Sequence, residues 1–82
     1  MTKYTSFFNK GNGTYEVRNK IYKIRVGEIR KARMGRFMHW QLFGDKGTGF
    51  SNGCLKEISK FITYLYGKER KLKSKLLNNQ NN

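Results

Sequence analysis

Basic residues are concentrated between Arg18 and Arg36, where eight lysines and arginines stand against a single acid, Glu28. Guanidinium and ammonium groups bind phosphate oxygens, and each such contact releases a counterion from a nucleic acid. Mixed charges would serve solubility better, so a stretch almost free of acids favours a polyanionic ligand over a solvated face. The predicted phosphate contacts are Arg18, Lys20, Lys23, Arg25, Arg30, Lys31, Arg33 and Arg36, with Lys46 as an outlying member.

Large aromatic side chains follow this basic stretch. Phe37, His39 and Phe43 alternate along one segment and share one face, which we assign to solvent or ligand. Exposed aromatic rings beside arginines are suited to stack unpaired bases. The alternative is that both faces are buried, one under a helix and the other in a dimer or under the N-terminal residues.

Residue types suited to catalysis are sparse and scattered. His39 is the only histidine, Cys54 is the only cysteine, and the five acids show no spacing that would hold a metal or pair a nucleophile with a base. The glycine-rich segment 44–49 lacks the Gly-Lys-Ser/Thr order of a Walker loop, so we interpret it as a connection. We therefore expect no enzymatic activity, no cofactor and no metal.

The elements that must position the basic and aromatic groups are predicted from the alternation of apolar and polar residues. Residues 14–18, 21–30 and 36–43 are predicted strands, with Met38, Trp40 and Leu42 on one face of the last and Tyr22, Ile24 and Val26 facing inward in the second. A bulge near Gly27 and Glu28 would return Ile29 to the core, because one inserted residue reverses the faces that follow it.

Shorter segments complete the predicted sheet. Phe7 and Phe8 favour a short first strand before the Asn12-Gly13 turn, although an arm folded back on the core is the alternative. Residues 31–35 are predicted to form a basic loop. Phe50 is predicted to begin another short strand.

One amphipathic helix is predicted after the strands. Ser51 or Asn52 is its N-cap, and Gly67 is its C-cap. The fold class is therefore α+β, a three- to four-stranded antiparallel sheet packed against one C-terminal helix. We predict a domain over 1–67 and a basic, partly disordered tail over 68–82, which offers a second arm for phosphates. The apolar stripe of the predicted helix consists of Leu55, Ile58, Phe61, Ile62 and Leu65.

Composition limits the compartment and the partners. The 82 residues carry a formal charge of +13. The first residues contain no apolar run and no stretch reaches transmembrane length, so we expect neither a secretory signal nor a membrane partner. A single cysteine fits a reducing compartment, and we predict a cytoplasmic or nucleoid-associated protein.

Two resemblances point to DNA. The run Asp45-Lys46-Gly47-Thr48-Gly49-Phe50-Ser51 leading into Leu55-Lys56-Glu57-Ile58 resembles the transcriptional positive cofactor family, over about residues 20–66. That resemblance implies strands that bind single-stranded DNA as a dimer. The order and charge of the elements also resemble the sheet-plus-helix domain of integrase arm-binding regions and ethylene-response factors, which implies a sheet in the major groove of duplex DNA, although the acidic, alanine-rich helix of that domain is missing.

The sequence thus predicts a small, non-enzymatic nucleic-acid-binding protein, with DNA preferred over RNA, that acts as a transcription or replication accessory factor. The alternative is an inhibitor or adaptor that docks on an acidic surface of a nucleic-acid enzyme, since aromatic and arginine side chains also dominate protein interfaces. A homodimer and an acidic protein partner are both left open.

Overall fold

A four-stranded antiparallel sheet and one long helix make up the fold. The computed structural model describes residues 2–80, with side chains described for residues 2–72. The strands lie side by side in chain order. The predicted α+β class is confirmed. The elements are β1 (Thr5–Asn9), β2 (Tyr15–Asn19), β3 (Ile24–Met34), β4 (Phe37–Gly44) and α1 (Asn52–Gln80).

The hydrophobic core lies between one face of the sheet and α1. Val17 and Ile29 are fully buried there against Ile58 and Leu65 of the helix. Aromatic rings close the sides of this core, and the ring of Phe7 stacks on that of Phe61 with centroids 4.1 Å apart. The prediction that Trp40 and Leu42 face inward is confirmed, as both pack against the core.

A bulge in β3 sets which side chains reach the core. Val17 pairs with Gly27 and Arg18 pairs with Arg25, so Val26 is the extra residue. The bulge therefore lies next to the predicted position and has the predicted effect, since Val26 and Ile29 are both buried. Gly27 is required beside it, because a Cβ there would lie 2.5 Å from the carbonyl oxygen of Phe43 on β4.

The start of β3 differs from the prediction. The strand begins at Ile24, because the Asn19 side-chain oxygen accepts hydrogen bonds from the amides of Ile21 and Tyr22. These bonds hold residues 20–23 in a turn. Lys23 completes this turn with a φ of 57°. The prediction that Tyr22 and Ile24 face inward is therefore wrong, and their side chains are 73% and 50% exposed.

The far end of β3 also differs from the prediction. Residues 31–34 continue the strand instead of forming a loop, and the β3–β4 pairing runs up to Met34 and Phe37. Gly35 makes this possible with a φ of 62° at the first position of a two-residue turn, as in type II′ hairpins. Phe50 begins no strand but packs against the core, and Met38 is exposed at the end of the hairpin.

The helix starts as predicted and continues past its predicted end. The Ser51 hydroxyl oxygen accepts a hydrogen bond of 3.2 Å from the Cys54 amide, which is the geometry of an N-cap. Gly67 does not end the helix, which continues to Gln80. The division between 1–67 and 68–82 stays a prediction, and residues 81–82 lie outside the described part. Within the described residues, no helix is both long and apolar enough to cross a membrane.

Removing the N-cap provides a direct test of this helix start. We expect Ser51→Ala to lower the free energy of unfolding by about 1 kcal/mol, because the Cys54 amide loses its acceptor. Ser59→Ala is the matched control in the exposed middle of the helix, where alanine is the better helix former. Urea unfolding of both variants measures the difference, and equal effects would contradict the cap.

Candidate nucleic-acid interface

The sheet surface opposite α1, here called the outer face, carries three of the predicted arginines. Each of them meets an acid. Arg18 lies 2.6 Å from Glu16, Arg25 lies 3.0 Å from Asp45, and Arg30 lies 3.4 Å from Glu28. The predicted phosphate-binding face is therefore a network of ion pairs within the sheet.

The protonation equilibria reflect this network. The hydrogen bond from Arg18 holds the pKa of Glu16 below its ordinary value. The hydrogen bond to Asp45 raises the pKa of Arg25. Four basic residues, counting Lys10, share three acids, so the outer face carries little net charge.

Two of the three aromatic residues predicted to stack on bases are partly covered. The Arg30 guanidinium lies 3.8 Å from the centroid of the Phe43 ring. His39 is half-buried, and its Nε2 lies 2.9 Å from the side-chain oxygen of Gln41. Of the three residues predicted to stack on bases, only Phe37 is well exposed, and it lies at the end of the β3–β4 hairpin.

Lys31 lies on the opposite side of the sheet from Arg30. The bulge that returns Ile29 to the core also directs the alternate residues that follow, Lys31 and Arg33, toward the α1 side. Lys31 forms an ion pair with Glu69 of α1, and its ammonium lies 5.4 Å from the Trp40 ring centroid. This ion pair links the helix to the sheet.

The remaining predicted contacts lie at two ends of the sheet. Lys20, Lys23 and Lys46 belong to the end where β3 begins and β4 finishes, and the Lys20 ammonium donates to the carbonyl oxygen of Thr2 at 2.6 Å. Arg33 and Arg36 belong to the other end. The predicted cations therefore do not form one continuous surface.

The β3–β4 hairpin extends beyond the other strands. The β2–β3 pairing ends at Ile29, whereas the β3–β4 pairing continues through residues 30–34 and 37–41, here called the ribbon. Its base is held to α1, because the Trp40 amide donates to the Tyr66 hydroxyl at 2.9 Å. Residues 33–38, here called the ribbon tip, contain Arg33 and Arg36, and no described acid lies within ion-pair distance of either.

The exposed side of α1 supplies further cations. Some of them belong to the segment 68–82 that was predicted as a second arm for phosphates, whereas Lys56 and Lys60 were not predicted to bind. These cations have no acidic partner within the described residues, and the helical spacing of the lysines around the predicted stripe was the signal for them. An exposed tyrosine, Tyr64, lies among them. These helix cations are Lys56, Lys60, Lys68, Arg70 and Lys71.

All five acids of the chain are occupied by internal contacts. Glu16, Glu28 and Asp45 belong to the outer-face network, and Glu69 pairs with Lys31. The Glu57 carboxylate accepts hydrogen bonds from the amides of residues 3–5. Within the described side chains, the positive charge without an acidic partner therefore lies on the ribbon tip, the helix and the β2–β3 turn, and on Lys3 and Lys46.

Within residues 2–72, no group of three histidine, cysteine or acidic side chains is placed to hold a metal ion. Comparison with known proteins adds no further assignment. No family model, no curated protein and no solved structure matches this chain.

Proposed function

We propose that this chain is a non-enzymatic nucleic-acid-binding protein, with DNA preferred over RNA, that contacts phosphates through the ribbon tip and the helix cations. The observation that carries the proposal is the separation of charge. Every acid is used inside the fold, while Arg33, Arg36 and the helix cations have no described acidic partner. A polyanion is the ligand that such surfaces attract.

Ion pairing on the outer face favours contacts elsewhere on the protein. Charges already paired at 2.6–3.4 Å would have to leave their partners before they could bind phosphate. Unpaired arginines and lysines bear no such cost. Both family resemblances also concern DNA, which supports the same ligand class.

A competition titration at about 150 mM salt tests the proposal. Single-stranded and duplex DNA and RNA of equal length compete for the protein, and we expect saturation at a defined site size with one form preferred. The logarithm of the affinity should fall linearly with the logarithm of salt, with a slope of about 0.9 per phosphate contacted on duplex DNA. Weak binding to all four, with no defined stoichiometry, would overturn the proposal.

A second candidate function is suggested by the β2–β3 turn. Ile21, Tyr22 and Ile24 are exposed there beside Lys20 and Lys23, which is the composition of a contact with an acidic protein. An inhibitor or adaptor of a nucleic-acid enzyme would use this end of the sheet. Saturable binding to polyglutamate that Tyr22→Ala weakens, without saturable binding to nucleic acid, would favour this function.

A further inference from the structure

The ribbon tip projects from the body of the protein. Five residue pairs of β3 and β4 follow the last pairing of β2, and at about 3.3 Å per residue they extend about 16 Å. Within the described side chains, the α1 contacts of Lys31 and Trp40 lie at the base of the ribbon. All six residues of the tip are exposed.

The tip exposes three large apolar side chains. Met34 and Phe37 are paired on one side of the ribbon and are 66% and 77% exposed, while Met38 on the other side is 56% exposed. Apolar groups gathered at an exposed turn bring no benefit to the isolated fold. Such a cluster indicates a surface that is buried in a complex.

Positive charge flanks this apolar cluster. Arg33 pairs across the ribbon with Met38, and Arg36 lies in the turn beside Phe37. The Arg33 Nε donates only to the carbonyl oxygen of Gly35, at 3.2 Å, so its charge is not neutralised by a described acid. This arrangement fits a ligand that has apolar surface between negative charges. Stacked base pairs flanked by phosphates have that chemistry.

The other exposed rings argue against a single strand as the main ligand. A single-strand track needs successive rings along one groove. Here Phe43 is covered by Arg30, and the Phe8 ring lies 5.6 Å from the Arg18 guanidinium. Tyr22 and Phe37 lie at opposite ends of the sheet, and Tyr64 lies on α1.

We propose, on the basis of the proposed function, that the ribbon tip is a wedge for duplex DNA. Phe37 and Met34 insert between adjacent base pairs from the minor groove, and Arg33 and Arg36 bind phosphates on either side. Apolar wedges of this kind unstack one base step and kink the duplex by about 20–90°. The tip therefore bends the DNA that the protein binds.

The test measures bending and unstacking on one duplex. A 30-base-pair duplex carries a donor and an acceptor dye at its ends and 2-aminopurine at internal steps. The wild-type chain should increase energy transfer and 2-aminopurine fluorescence. Met34→Ala/Phe37→Ala should abolish both signals and weaken duplex binding about tenfold, because the wedge is lost while the arginines remain.

The matched control removes an equal pair of exposed apolar side chains from the opposite end of the sheet. Ile21→Ala/Tyr22→Ala should leave bending and affinity unchanged. Because all four residues are exposed, each variant should retain the wild-type circular dichroism spectrum and melting temperature.

The outcomes separate this inference from the proposed function. Saturable binding without bending, a preference for single strands, or bending that survives Met34→Ala/Phe37→Ala would overturn the wedge and leave nucleic-acid binding standing. Unchanged bending together with weaker binding to polyglutamate would assign the tip to an acidic protein and overturn the wedge. No saturable binding to any nucleic acid would overturn both proposals.

Discussion

Glu57→Ala is expected to lower the free energy of unfolding by about 3 kcal/mol, because one carboxylate holds the N-terminal segment on the helix. The Lys3 amide donates to Oε2 at 2.8 Å, and the Thr5 amide and hydroxyl donate to Oε1 at 2.8 and 2.5 Å. The Tyr4 amide donates to the same carboxylate at 3.1 Å. Alanine would leave these donors without an acceptor. The amide and hydroxyl of Thr5 would have no access to water either, because Thr5 is fully buried.

The effect of Glu57→Ala should depend on pH with a definite sign. Burial alone would raise the pKa of Glu57, but the hydrogen bonds from the Thr5 hydroxyl and the three amides outweigh it and hold the pKa below the ordinary value of 4.5. A lowered carboxyl pKa stabilises the fold at pH values above the ordinary pKa, and this contribution is lost as the pH falls through the folded pKa. Urea unfolding at pH 7 and at successively lower pH values should therefore show that the difference in free energy of unfolding between the wild type and Glu57→Ala shrinks as the pH falls.

Glu69→Ala is the matched control, since it removes the same charge from the same helix. Its partner Lys31 is about half exposed, so the loss should be about 0–1 kcal/mol. Equal losses for the two variants would mean that the amide contacts of Glu57 contribute nothing beyond charge.

Neutralising the ribbon tip should cause the largest loss of DNA affinity. We expect Arg33→Gln/Arg36→Gln to weaken duplex binding about 30-fold at 150 mM salt and to lower the salt slope by about 1.8, as expected for two lost phosphate contacts. Neither arginine has a described acidic partner, so the fold should retain its stability. Fluorescence anisotropy over a series of salt concentrations measures both quantities.

A control with the same change in charge lies on the outer face. Arg18→Gln/Arg30→Gln also removes two charges, but Glu16 and Glu28 already offset them. We expect a loss of about threefold at most, since charges beyond the Debye length of about 8 Å are screened. A larger loss for this pair than for Arg33→Gln/Arg36→Gln would return the interface to the outer face.

Local patterns in the sequence were sufficient for most of the fold. Alternation predicted that Trp40 and Leu42 face the helix, and a serine before an apolar stripe marked the start of α1. The break in alternation at Gly27 predicted a bulge that the structure places one residue away. Each of these features depends on neighbours within a few residues, which is why the sequence alone reveals them.

The ends of elements were less predictable. Charge made residues 31–35 appear to be a loop, yet a glycine with positive φ lets the strands pair up to Met34. Gly67 has the residue type of a C-cap, but the contacts of Tyr66 and Glu69 with the ribbon hold the helix to the sheet on either side of it. Pairing between strands in the first case, and contacts between helix and sheet in the second, override local preference.

The large excess of positive charge and the sheet-and-helix fold could both be predicted from the amino-acid sequence. Which of those charges lack an acidic partner depends in part on the folded structure. Arg18 and Arg30 each pair with a glutamate two residues earlier on the same strand. Arg25, in contrast, reaches Asp45 and Glu16, which are 20 and 9 residues away in the chain, because of the register between strands. Register depends on contacts between elements, and no single segment encodes it.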